Sequence, residues 1–286
     1  MAHTFESDYS KGAMIGEGRF ARVFLCVAPD SANLYAVKEI IYGSSGTECS
    51  SELLLAALRK EANLFSRLVH RCLPKTIAVY NNPVTGIWHT VVDLFDNGDL
   101  ATMISEYSQA KVRIPEEKVL EVFGQLTDVL AYLHETYKTD SAEVHQIVHR
   151  NLRPENILLK LNGVVGLATL RLAEEQELPR RSMDRLDPSP YVAPEARAGE
   201  PYGAMADAWS LGCIIAEMCL LECLFDASGL VPGKLPVNLT GLGYSKILEA
   251  LVNALLQENV SMRCSMIDMR NNPVLEQARS AAFNRV

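Results

Sequence analysis

The sequence predicts an α+β fold of two lobes, a β-rich first third carrying one helix and a mainly helical remainder. Three observations carry the prediction: short β-branched runs between turn residues from Gly12 to Asp93, a single helical period inside that region, and a change of period beyond Gly98. The runs Phe20 to Val27, Leu34 to Ile41, Thr76 to Tyr80 and Trp88 to Leu94 read as strands. Between the second and third of them, Leu54, Leu58, Leu64, Phe65 and Leu68 fall broadly at helical spacing over Leu53 to Leu68, with Ser50 or Ser51 available as a cap. Farther on, Val119, Leu120, Val122, Phe123, Leu126, Val129, Leu130 and Leu133 describe a long amphipathic helix opened by Pro115, Glu116 and Glu117. Met205 to Leu221 and Tyr244 to Gln257 are further helices, while Leu178 to Tyr202 and Asp226 to Leu242 carry the Pro and Gly of loops. The tail after Pro273 is polar.

At 286 residues, 48% of them hydrophobic, the chain can bury a sizeable core as one domain or as two lobes sharing a cleft. Its net charge of −8, without a basic stripe, argues against nucleic acid and against an anionic membrane as partners. Cys26, Cys49, Cys72, Cys213, Cys219, Cys223 and Cys264 are odd in number and lack the short paired spacings of a zinc site, a pattern that suits a reducing compartment. The stretch from Met1 to Glu6 lacks the charged start and apolar run of a secretory signal, and the most apolar segment, Leu211 to Phe225, is broken by Glu217 and Glu222. The expectation is a soluble cytoplasmic protein.

Ile15-Gly16-Glu17-Gly18-Arg19-Phe20-Ala21-Arg22-Val23 lies between strand-like runs, where glycines let a backbone approach the phosphates of a nucleotide. Alone it reads equally as an ordinary Gly-rich hairpin, and Ala21 occupies the third glycine position. Lys38, in Ala36-Val37-Lys38, sits on an alternating strand, and Glu61 lies on the predicted helix; the two are either solvated surface charges or a pair offered to one cleft. The run His149-Arg150-Asn151-Leu152-Arg153-Pro154-Glu155-Asn156-Ile157-Leu158-Leu159 decides between these readings. It resembles the catalytic loop of eukaryotic protein kinases. Ala193-Pro194-Glu195 and Asp207-Ala208-Trp209-Ser210-Leu211-Gly212 resemble two further kinase segments, and Arg263 falls where the family places the partner of that Glu. Glu39 to Ser44, Asp93 to Leu100 and Gln125-Leu126-Thr127 make the chain similar to the NIMA-related (NEK) kinases.

The resemblance implies a bilobal protein-kinase fold over residues 9–276, with an N-lobe of about 9–94 carrying one regulatory helix and a C-lobe of about 95–276. It leaves an N-terminal extension at 1–8 and a polar tail or linker at 277–286. It also implies an ATP pocket lined by Ile15, Gly16, Gly18, Val23, Ala36 and Leu158, with Lys38 and Glu61 at the phosphates. Val92 would be the gatekeeper, Asp93 and Phe95 would lie in the hinge, and Asp99 would follow it.

The chain departs from the family at the chemistry. Asn151 stands where the aspartate that accepts the substrate proton is expected, and an amide has no comparable basicity. Arg153 replaces the usual lysine, and Pro188 or Ser189 falls at the substrate-positioning Thr. Thr169-Leu170-Arg171 replaces the Asp-Phe-Gly turn, so the main Mg2+ carboxylate is a neutral Thr and the small Gly is an Arg. Asn156 survives as a weak metal ligand. These substitutions predict a pseudokinase that serves as a protein-interaction or allosteric module, with ATP as a structural ligand and Mg2+ weak or absent. The alternative is a slow, atypical Ser/Thr kinase in which Asn156 and Glu155, Glu174 or Glu175 hold Mg2+. Expected partners are other proteins, an active kinase or cytoskeletal components among them, which adds cytoskeletal association to the expected location. Ser182, beside Arg180 and Arg181, reads as unmodified surface.

Overall fold

The computed structural model describes residues 4–18, 21–29, 33–42, 51–135, 137–138, 144–178, 182, 186, 188–226 and 235–285. Expectations that rest on Arg19, Phe20, Gly43, Ser44, Cys49, Arg180 and Arg181, and on the capping side chains of Ser50 or Ser51, lie outside them. The chain divides into two units. The first runs to Asp96 and includes Thr169–Arg171; the second comprises Asn97–Ala168 and the chain from Leu172 onward.

In the first unit a short helix α1 (Phe5–Asp8) precedes β1 (Ser10–Glu17), β2 (Arg22–Val27) and β3 (Leu34–Ile41), followed by α2 (Ser51–Arg67), β4 (Thr76–Asn82) and β5 (Ile87–Asp93). The strands form one antiparallel sheet in the order β1-β2-β3-β5-β4. Alternation along β3 sends Ile40 to one face, where it packs with Trp88, Tyr42, Leu54 and Leu58, and Val37 to the other, with Val91, Cys26 and Phe5. Phe5 stacks on His89 with ring centroids 4.3 Å apart, and burying it contributes about 1.5–3 kcal/mol. Of the described residues of the expected extension, Phe5 therefore belongs to the core of this unit, while Thr4, Glu6 and Ser7 are exposed. The buried Glu39 carboxylate meets Lys11 at 2.6 Å, Arg22 at 2.7 Å and His89 at 3.1 Å. Burial works against its ionisation, yet these partners hold its carboxyl below the usual range.

The second unit opens with α3 (Leu100–Ala110) and α4 (Glu116–His134) and continues through β6 (Tyr137–Lys138), β7 (Val144–Val148), β8 (Ile157–Leu159), β9 (Val165–Leu167) and β10 (Glu174–Glu177). It closes with α5 (Pro194–Arg197), α6 (Ala204–Leu220), α7 (Lys246–Leu255), α8 (Met266–Arg270) and α9 (Pro273–Phe283). The apolar α6 is buried at every residue from Ala206 to Ala216, and α4 packs on α6, α8 and α9. The strands pair as β10-β7-β6 and β8-β9.

Several expectations need correction. Residues 277–283, expected as polar tail, continue α9, which buries Leu275 and Ala282 and binds α4 through Arg279–Asp128 at 2.9 Å. The loop expected from Leu178 to Tyr202 contains α5, and Ser182 is buried there, where its N–H donates to Tyr202 O at 3.0 Å and its carbonyl O accepts the Tyr202 N–H at 3.1 Å. It is not surface.

Gly124 of α4 lies so close to α9 that a Cβ would meet Leu275 O at 2.6 Å. Gly124→Ala gains about 1 kcal/mol of helix propensity, but it must push backbone apart, which costs about 1–3 kcal/mol. Urea unfolding should report a net loss of stability.

Candidate functional site

In the first unit β3 places Lys38 directly opposite Val23 and Ala36 opposite Val92, so that these four expected residues share one face of the sheet. Gly16 pairs with Val23 at the end of β1, Gly18 donates to Ala21 O at 2.8 Å, and Ile15 is exposed. Asp93 N–H donates to Lys75 O at 3.1 Å, while its carboxylate accepts from Lys75 N–H at 2.6 Å; Phe95 is buried.

On α2, Leu54, Leu58 and Glu61 lie along one face, because residues three and four apart are neighbours on a helix. Glu61 is therefore 7% exposed, and its Oε1 becomes a hub. Lys38 Nζ approaches to 3.4 Å, the Thr169 hydroxyl donates a hydrogen bond, and the Leu170 N–H donates at 3.0 Å. Thr169 Oγ1 in turn accepts the Arg171 N–H at 3.2 Å. Burial raises the Glu61 pKa, but Lys38, the Thr169 hydroxyl, the Arg171 charge and the Leu170 N–H outweigh it and hold the carboxyl below the usual range.

In the second unit the catalytic-loop residues hang on Asp207, 1% exposed. Its carboxylate accepts the His149 N–H at 2.7 Å and the Arg150 N–H at 2.8 Å, and it lies 2.9 Å from His134 Nε2. These bonds hold Arg150 at φ 66°, a left-handed conformation that costs a non-Gly residue about 1 kcal/mol or more. Asn151 N–H then donates to His149 Nδ1 at 3.2 Å, and Asn156 Nδ2 donates to Asn151 O at 2.9 Å. Leu158 on β8 bridges to Asp99, whose side chain caps α3 by accepting the Thr102 N–H at 2.7 Å.

Both loop arginines are occupied. Arg150 pairs with Glu174 at 2.7 Å and lies 5.7 Å from the Tyr202 ring, while Arg153 forms two bonds with Glu155, at 2.8 and 2.9 Å. Sequence patterns give no sign of the first pair, since Glu174 meets Arg150 only because β10 aligns Glu174 with Val148 at the end of β7. A cavity of about 290 Å³ on this unit is lined by Ile104, Ser105, Pro154, Glu155, Tyr191 and Glu217, with Tyr191 Oη donating to Glu217 at 2.6 Å. The two expected fold-holding groups meet: Arg263 binds Glu195 at 2.7 and 3.0 Å, both nearly fully buried.

A five-stranded sheet with the helices α1 and α2 in one unit, a helical second unit and an Asp-anchored loop define a protein kinase-like chain. The protein kinase domain model matches residues 9–275, and the chain belongs to that family. Serine/threonine-protein kinase Nek3 of Mus musculus is 29% identical over 265 residues, 90% of this chain and 48% of the relative. Nek11 of Mus musculus is 31% identical over 278 residues, 92% of this chain and 41% of the relative. Nek5 of Homo sapiens is 27% identical over 275 residues, 92% and 36% respectively. The expected likeness to NEK kinases is borne out, and the chain spans less than half the length of each of these relatives.

Arg263→Ala should cost about 3–5 kcal/mol in thermal or urea unfolding, because it leaves the Glu195 carboxylate buried without its cation. The carboxyls of Asp207 and Glu61 are both depressed in the folded state. Their stabilisation is full above the ordinary carboxylate pKa of about 4 and is lost as pH falls through the lower folded values. An acid unfolding series should show that slope, and Asp207→Asn should flatten it.

Proposed function

We infer that this NEK-like kinase domain is a pseudokinase that acts as a protein-interaction or allosteric module. One observation carries the reading: the Thr169 hydroxyl, at the expected metal position, is committed to Glu61 and accepts from Arg171. Mg2+ favours carboxylates and phosphates. The donor set does not fit it, because neither Thr169 nor Asn151 is a carboxylate and Asn156 offers one neutral carbonyl oxygen. Loss of a general base alone accounts for about 10² to 10⁴ in rate.

The slow-kinase reading requires Glu155, Glu174 or Glu175 to hold the metal. Glu155 binds Arg153, Glu174 binds Arg150, and Glu175 accepts from the Tyr137 hydroxyl. No observation favours that reading.

The shared face of Val23, Ala36, Lys38 and Val92 supports retained ATP as a structural ligand. Lys38 and Arg171, both attracted to Glu61, supply positive charge that would meet phosphates without a metal. The proposed partners are other proteins, such as an active kinase or a cytoskeletal component, in the cytoplasm.

A thermal-shift titration with ATP should raise the melting temperature equally with and without Mg2+, and Lys38→Ala or Arg171→Gly should reduce the shift. In a radiolabelled transfer assay on the same sample, incorporation should not exceed that of Lys38→Ala. Label above that background contradicts the silent-module reading, and absence of any shift contradicts the nucleotide half alone.

A further inference from the structure

Thr169 is 6% exposed and Leu170 fully buried, and the turn they form groups with the first unit. Its flanking residues, Ala168 and Leu172, are assigned to the second unit. Within the first unit a single oxygen, Glu61 Oε1, joins three separate stretches of chain. It meets β3 through Lys38, it belongs to α2, and it takes the Thr169 hydroxyl and Leu170 N–H. At 3.4 Å the Lys38 contact is long for a charge-assisted bond, whereas the Leu170 N–H donates at an ordinary 3.0 Å and the Thr169 hydroxyl donates to the same oxygen. The Arg171 N–H completes the turn on Thr169 Oγ1 at 3.2 Å.

We propose that Thr169 is a positioning residue that fastens α2 to residues 169–171 with neither nucleotide nor metal present. The proposal deepens the reading of a kinase domain without a metal site, and rests on it in taking residue 169 as a hydrogen-bond donor, not a ligand. The chemistry is specific to a hydroxyl. Serine keeps the donor, valine keeps the shape without it, and an ionised aspartate has no proton to give and would bring a second carboxylate to the same oxygen. A substitution that reads as a loss at residue 169 thus supplies a bond that the expected aspartate could not make. Two cations, Lys38 and Arg171, remain to neutralise the single carboxylate.

Hydrogen exchange on the nucleotide-free chain tests this. Thr169→Val and Thr169→Asp should speed exchange of the Leu170 amide and of the α2 amides from Leu58 onward by about tenfold or more, the size expected for losing one hydrogen bond to a charged group. Thr169→Ser should keep the parent rates. In a Glu61→Met background, which removes the acceptor, Thr169→Val should add little, because the two sites form one interaction. Unchanged α2 exchange in Thr169→Val, equal loosening by serine and valine, or simple additivity with Glu61→Met overturns the proposal. Should Thr169→Val fail to fold, the comparison of serine with aspartate decides, protection in the first and exposure in the second upholding the bond and equal rates overturning it. None of these rates depends on phosphate transfer. A chain that transfers phosphate yet shows the coupling contradicts the silent-module reading alone, and an inert chain without it contradicts this proposal alone.

Discussion

Glu61 reaches the buried face of α2 in the same stripe as Leu54 and Leu58, and an ionised carboxyl in that position costs several kcal/mol unless donors meet it. Lys38 supplies charge from 3.4 Å, and the rest of the neutralisation comes from the turn at residues 169–171. That demand fixes which atoms are left for chemistry. The Thr169 hydroxyl, at the expected metal position, is already a donor to protein, and the backbone N–H groups of Leu170 and Arg171 are also used. The first unit satisfies its buried charge internally, which supports the proposed reading that these residues leave no carboxylate for a metal ion.

The second unit separates the groups that hold a kinase fold from those that perform its reaction. Asp207 still gathers the backbone of His149 and Arg150, and Glu195 still meets Arg263, which also lies 5.1 Å from the Trp209 ring. Both carboxylates are nearly inaccessible, and removing either would leave buried donors unpaired, so their retention follows from stability alone. Asn151 and Arg153 carry no such constraint. Arg153 is folded onto Glu155 at the surface, where an exposed pair contributes at most about 1 kcal/mol.

Much of this was legible in the sequence because it follows from local patterns. The β-branched run Leu34 to Ile41 coincides with β3, and the helical period around Leu54 and Leu58 locates α2 and puts Glu61 on its inner side. The helix α3 escaped because it buries only Leu100 and Ile104 among polar residues, and α9 because Leu275 and Ala282 are its sole buried positions. The strand β10, Glu174-Glu175-Gln176-Glu177, has no intrinsic strand character and exists through its pairing with β7. Motif spacing points to residue 169 as the expected metal position. It could not show that the hydroxyl there serves Glu61, since the two residues are far apart in the chain and only the folded first unit brings them together.

Whether the chain holds a divalent metal can be read from an electron paramagnetic resonance titration of Mn2+ with ATP in the presence of the protein. Mn2+ reports the same hard-oxygen coordination as Mg2+. A chain without a metal site should leave the spectrum that of the free ion and its ATP complex as protein is added. A new protein-dependent Mn2+ signal, abolished by Asn156→Ala, would contradict the proposed reading.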